Sequence, residues 1–421
     1  METAYATPLK VGGARALSLR LNFAWTSAGT LIYAALQWVT LSLLAKLGSP
    51  AIVGQYALGI AIATPVLMLA HLNLRAVIAT DVRNQNPFLD YLSLRLLTTA
   101  AGLGIIAFIT LAGGYRAELA WIILAVSAGQ AIDGASDICY GWLQRRERME
   151  RIAISLIARG ILATLAIGIG FALTGSLLLG VGVSLLARLA VLLGFDLRQV
   201  PGNPAWRFGP SLRRQMRVLW IALPLGIVLM FNSLDANVPR YWIEHHQGER
   251  MLGIFSAIAS LMTVGGTVVN ALGQAATPRL AKLFSDGDRR AFRGLLARLL
   301  ALGLGIGLAG IAVAAIGGRF ILTLVYRPEY ALHAGLLVAM MAAGAIGYLG
   351  SLLGYAITAT RAFRVQAPLY GVVAASAAAG SFWLIPRYGL LGGAFAIGIA
   401  ALVQVLGEIA ILWRAMKPEA A

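Results

Sequence analysis

At 421 residues, with 59 % apolar and 12 % charged side chains, the chain carries about half the charge of a soluble protein, in which about 25 % of residues are charged. A mean hydropathy of +0.80 fits a protein that crosses a membrane many times. The net charge of +17 does not mark a nucleic-acid binder, because the basic residues are spread over short polar segments and no separate basic domain exists to hold a duplex.

Residues 1–20 are polar and basic and lack the apolar stretch and small-residue cleavage site of a signal peptide, so this end is expected in the cytoplasm. Twelve apolar spans are then predicted, at 21–44, 53–80, 91–112, 119–142, 152–173, 176–197, 218–242, 251–277, 295–317, 331–358, 367–385 and 390–413. The expected fold class is an all-α polytopic membrane protein, with about 12 transmembrane helices in two six-helix lobes related by a parallel repeat. Of the 34 Lys and Arg residues, 24 fall in or beside alternate connections that include both termini, seven fall in the other connections, and Arg75, Arg159 and Arg188 lie within spans. That asymmetry predicts an even number of spans with both termini in the cytoplasm.

The second span covers about 42 Å at 1.5 Å per residue, enough to cross a bilayer with some tilt. It nevertheless contains His71, Asn73 and Arg75. Thr64, His71 and Arg75 share a helical face, with Pro65 able to bend the helix beside them. A cation at the bilayer centre costs about 2.5–3.5 kcal/mol on insertion scales, so Arg75 either faces a cavity and contacts substrate or snorkels to the headgroups. In the fourth span Gln130, Asp133 and Asp137 share one face. The fifth and sixth spans hold Arg159 and Arg188 too deep for easy snorkelling. Pairing Asp133 and Asp137 with these two arginines would tie the first lobe together and leave Arg75 as one surplus positive charge, a site for an anion. Cys139, the single cysteine, excludes an internal disulfide and reads as packing.

Residues 198–217, with three prolines and five arginines, read as a cytoplasmic linker, giving an N-terminal lobe over 1–200, a linker over 201–217 and a C-terminal lobe over 218–421. Sliding the chain by 199 residues lays Gly54-Gln55-Tyr56 on Gly253-Ile254-Phe255 and places Asn270 and Gln274 under His71 and Arg75. A second match, near an offset of 214, pairs CYGWLQRRERMER with LLGYAITATRAFR. Copies of six spans run parallel, an arrangement of two-lobed transporters whose substrate binds between the lobes. In the second lobe Asp235 and Glu408 are the intramembrane acids, candidates for binding a coupling ion or for bonding neighbouring helices. Glycine, 48 of 421 residues, and Pro65 and Pro224 suit closely packed, bendable helices. No catalytic constellation is present; His245 and His246 are adjacent and lack metal-binding spacing, so neither a metal nor a cofactor is expected.

The stretches LAKLGSPAIVGQYALGIAIATP, LVYRPEY and LIPRYGLLGGAFAIGIA closely resemble the lipid-linked oligosaccharide flippases of bacterial polysaccharide synthesis, of O-antigen and exopolysaccharide type. These belong to the multidrug, oligosaccharidyl-lipid and polysaccharide exporter superfamily, and the resemblance extends over the whole chain. It implies a V-shaped pair of lobes in the bacterial inner membrane that moves undecaprenyl-diphosphate-linked repeat units from the inner to the outer leaflet by alternating access. It also implies cations in a central cavity, for which Arg75, Arg159 and Arg188, with His71 beside them, are the candidates here. The implied partners are the lipid-linked oligosaccharide, membrane lipids, and a polysaccharide polymerase and chain-length regulator. Two other readings stand beside this one: a cation-coupled multidrug antiporter, which would need an acidic cavity, and a membrane polymerase or ligase, which would need a larger outer segment than 241–250.

Overall fold

The structure, a computed structural model, describes residues 19–81, 86–200, 210–360 and 365–416. The predicted N-terminal basic segment, most of the linker, Arg83, Arg361 and Arg364 lie outside the described residues. Within them the chain is helical and contains no strand. The helices are α1 (Leu19–Leu47), α2 (Pro50–His71), α3 (Leu74–Thr80), α4 (Phe88–Ala112), α5 (Ala117–Arg145), α6 (Met149–Thr174) and α7 (Leu177–Val191), the last extended by a π turn (Leu192–Asp196) and a 3-10 turn (Leu197–Gln199). There follow α8 (Leu212–Ser285), α9 (Arg289–Val325), α10 (Pro328–Ala331), α11 (Ala334–Ala359), α12 (Gln366–Tyr388) and α13 (Leu390–Ala415).

Eleven of these runs are long and apolar enough to span a bilayer. One of them, the 74-residue α8, is broken at Gly248 (φ 79°, ψ 177°), so its parts 212–247 and 249–285 make separate crossings and the expected twelve are present. The expected outer loop at 241–250 is therefore mostly helix, with the reversal confined to one glycine whose missing Cβ permits the left-handed φ. The second span departs from expectation in another way. Its helix runs unbroken through Pro65 and stops instead at Leu72 (φ 54°) and Asn73 (φ 49°). Two successive left-handed residues without glycine cost about 1–3 kcal/mol each. Burial of Leu72, Leu74 and Ile78 against Phe88, Ile138 and Trp142 holds them there.

The lobes meet most closely at the end of the bundle where α1 turns into α2. A single apolar core there joins Leu44, Leu58 and Ile62 of the first lobe to Ile243, Phe255, Ile258 and Leu336 of the second. Residues 252–259 of α8 are all buried, whereas Thr263, Val264, Val268, Asn270 and Gln274, further along the same helix, are exposed. The lobes are thus closed at one end and splayed toward the face that carries both described ends of the chain. At that splayed face the first turns of α8 cross to the other lobe. Ser211 and Arg214 donate to the buried Asp90 carboxylate of α4, at 2.8 Å from the Ser211 amide, and Gln215 donates to Ser93 at 2.7 Å.

Candidate functional site

Between the lobes lies a cavity of about 670 Å³, whose walls combine α1, α2, α3, α5, α6, α7 and both halves of α8. His71, Arg75, Asp133, Asp137, Arg159 and Arg188 all line it, together with Thr64 and Gln130. Helical spacing explains the gathering: residues 130, 133 and 137 present one stripe of α5, and α3, α6 and α7 bring their arginines to it. Asp235 and Glu408 do not reach this cavity. Glu408 is 1 % exposed, accepts a hydrogen bond from Gln404 at 3.1 Å and keeps Oε2 without a partner; Asp235 Oδ1 is likewise unpartnered.

The ion pairs are arranged differently from the sequence expectation. Asp133 is held by both deep arginines, with Arg159 Nη1 at 3.4 Å from Oδ1 and Arg188 Nη1 against Oδ2. Asp137 takes Arg75 at 3.4 Å and a second arginine, Arg95 of α4, at 3.5 Å. Asp137 is therefore not the neutraliser of Arg159 or Arg188, because it sits one turn further along α5, level with α3 and the start of α4. Arg75 is also fixed by Gln144, which accepts from its Nε at 3.0 Å, and lies 5.6 Å from the Tyr140 ring centroid. Arg159 packs over the rings of Tyr33 and Tyr140, at 5.1 and 5.6 Å. His71, at the break in the second span, lies against Gly134, and its Nε2 is buried without a partner.

One further cation comes from the second lobe. Arg240 of α8 lines the cavity, donates to Asn237 at 3.1 Å and keeps its Nε unpartnered. The charge count assigns Arg95 and Arg240 to connections, whereas the structure places them inside α4 and α8; the signal that could have found them is that both numbers fall within predicted spans, 91–112 and 218–242. Four arginines (Arg75, Arg159, Arg188, Arg240) thus face two aspartates (Asp133, Asp137) across the cavity, an excess of two positive charges, with Arg95 buried behind. The matching stripe of the second lobe is neutral: Asn270 bonds Ser351 at 2.6 Å and Gln274 approaches Tyr355 at 3.4 Å. In a low-dielectric interior such an excess attracts anions strongly and repels cations, and arginine offers a fork suited to phosphate oxygens.

A family model described as polysaccharide biosynthesis protein matches residues 19–284. The capsular polysaccharide biosynthesis protein CapF of Staphylococcus aureus is 26 % identical over 391 residues, covering 91 % of this chain and 97 % of the relative. Among solved structures, lipid II flippase MurJ in an inward closed conformation superposes with a TM-score of 0.75 at 12 % identity, over 92 % of this chain and 87 % of its own. An inward-facing multidrug resistance MATE family transporter of the MOP superfamily gives 0.69 at 15 % identity, over 96 % and 97 %. At these identities the two structures establish the shared two-lobed fold.

Proposed function

The chain belongs to the polysaccharide biosynthesis protein family, and from that premise we propose that it is a flippase for undecaprenyl-diphosphate-linked oligosaccharide repeat units, serving the synthesis of a surface polysaccharide. The observation that carries this reading is the cavity charge: four arginines against two aspartates, between lobes of a transporter fold. A lipid-linked diphosphate needs positive charge where water is scarce, and it needs a path on which its sugar stays wet while its polyprenyl tail remains in the bilayer. A cleft lined by Arg75, Arg188 and Arg240, with Thr64, Gln130, Ser260 and Thr263 offering hydrogen bonds to sugar hydroxyls, supports both needs. The splayed face is taken as cytoplasmic from the distribution of Lys and Arg, so the cleft would load from the inner leaflet. Alternating access would then open the end now closed around Gly54 and Gly253.

A multidrug antiporter for cationic drugs would have to desolvate its substrate next to an excess of like charge, which costs rather than stabilises. The polymerase, the chain-length regulator and an inner-membrane location belong to the same proposal, as the setting in which such a substrate is made and used. The test is reconstitution of the purified protein in liposomes carrying undecaprenyl-diphosphate-linked oligosaccharide on one leaflet, followed by probing the sugar from the other side. Translocation of the lipid-linked sugar, lost in Arg75→Gln, is expected. Translocation of a lipophilic cation instead, with the lipid-linked sugar left where it began, would overturn the reading.

A further inference from the structure

Asp137 stands between two arginines that differ in access. Arg75 of α3 is 31 % exposed by its side chain and lines the cavity; Arg95 of α4 is 1 % exposed and does not. Arg95 touches Asp137 through Nη2 at 3.5 Å, and its Nε and Nη1 are buried without a hydrogen-bond partner. A guanidinium left this poorly satisfied costs free energy, and helix packing alone would be served better by an apolar side chain. Resting on the flippase reading, we infer that Arg95 is a positioning residue: it keeps a counter-ion on Asp137 so that Arg75 is free to turn from the aspartate to a substrate phosphate.

The argument is one of charge. If Arg75 were the sole partner of Asp137, the pair would be neutral, and a phosphate would compete with a carboxylate for the same fork. With Arg95 behind, Asp137 remains paired when Arg75 leaves, and the cavity wall presents a net positive charge at no cost of an abandoned carboxylate. The two contacts fall on different oxygens, Oδ1 for Arg75 and Oδ2 for Arg95, so one can break while the other stays. One turn along α5 the same arrangement recurs. Asp133 holds the more accessible Arg188, 15 % exposed, on Oδ2 and the deeper Arg159, 5 % exposed, on Oδ1.

The experiment titrates the purified full-length protein in detergent micelles with undecaprenyl diphosphate, in a double-mutant cycle. Arg95→Gln is expected to raise Kd by about tenfold, the scale of one weakened charge-assisted hydrogen bond. In the Arg75→Gln background the same change is expected to add nothing, since the residue through which Arg95 acts is gone. A loss that persists undiminished without Arg75, or no loss with Arg75 present, would overturn the role. Should Arg95→Gln fold poorly, Arg95→Gln with Asp137→Asn removes the carboxylate that would lose its partner. That double variant must bind as tightly as Asp137→Asn alone, and binding about tenfold weaker overturns the inference. Failure of the unaltered protein to bind undecaprenyl diphosphate would overturn the transport reading itself, and this role with it; the other outcomes bear on Arg95 alone.

Discussion

Gly54 of α2 and Gly253 of α8 face each other reciprocally at the closed end of the cleft: a methyl group on Gly54 would overlap the carbonyl of Glu249, and one on Gly253 would overlap the carbonyl of Pro50. Each glycine thus meets the carbonyl four residues before the other, and the two are equivalent under the 199-residue shift in the sequence. Close backbone approach of this kind is how membrane helices pack where side chains are absent. Gln55 seals the contact by donating to Glu249 at 2.8 Å, and Arg116 binds the same carboxylate at 2.7 Å.

Gly54→Leu should therefore wedge this end apart. Overpacking costs typically about 1–3 kcal/mol, enough to shift a two-state equilibrium by about 5- to 150-fold. Labelling of Thr267→Cys, on the cavity wall, by a membrane-impermeant maleimide applied from the splayed face should fall accordingly. Cys139 is buried and gives little background. Unchanged labelling would mean that the glycine contact does not hold the closed end.

How much of this was legible beforehand follows from the physics of each feature. The twelve crossings were readable because a bilayer demands about 20 apolar residues wherever it is crossed, and the fold class needed nothing finer. The Gly54–Gly253 pairing surfaced as a faint repeat. The break at Leu72 and Asn73 did not: Asn tolerates a left-handed backbone but Leu does not, and burial of their neighbours, a tertiary effect, decides it. The shared use of each aspartate was equally hidden. Periodicity put Asp133 and Asp137 on one face, but which arginine reaches which oxygen depends on how far α3, α4, α6 and α7 slide along α5.

That sharing changes which substitution harms the first lobe most. Removing Arg159 leaves Asp133 with Arg188, so Arg159→Met should cost little, whereas Asp133→Asn takes from two neighbouring guanidiniums the one carboxylate that both touch. Stranding buried charge costs about 3–5 kcal/mol. Membrane protein level and melting temperature should therefore drop for Asp133→Asn, less for Arg159→Met, and not for Arg75→Ala, which should fail only in substrate binding. Equal losses in the two buried-cluster variants would refute the shared pairing.

The crossing of α8 onto α4 rests on one carboxylate. Asp90 is 1 % exposed and takes both the Ser211 amide and the Arg214 guanidinium. Hydrogen bonds to charged groups contribute about 1.5–3 kcal/mol. Asp90→Ala should lower the melting temperature by more than the neighbouring Ser93→Ala, which removes the neutral acceptor of Gln215 and a hydroxyl bonded within its own helix to Leu89. If the two variants melt together, the carboxylate does not anchor this end of α8.

The driving force follows from the sign of the charge carried. One elementary charge moved through the membrane potential is worth about 2.3 kcal/mol per 100 mV, so a lipid diphosphate with roughly two negative charges is pushed out of a negative interior by several kcal/mol. The potential alone can give direction, and the two intramembrane acids of the second lobe, Asp235 and Glu408, stand apart from the cavity that would hold the anion. Glu408 is buried beside Gln404, and Asp235 has an oxygen without a partner. On this account neither needs to exchange an ion during transport. Liposomes with an imposed potential and no sodium or proton gradient should translocate the lipid-linked sugar at a rate that rises with the potential. The rate should survive Glu408→Gln and Asp235→Asn. Transport that instead requires a sodium or proton gradient, and stops with either substitution, would make the second lobe an ion site and the protein an ion-coupled antiporter.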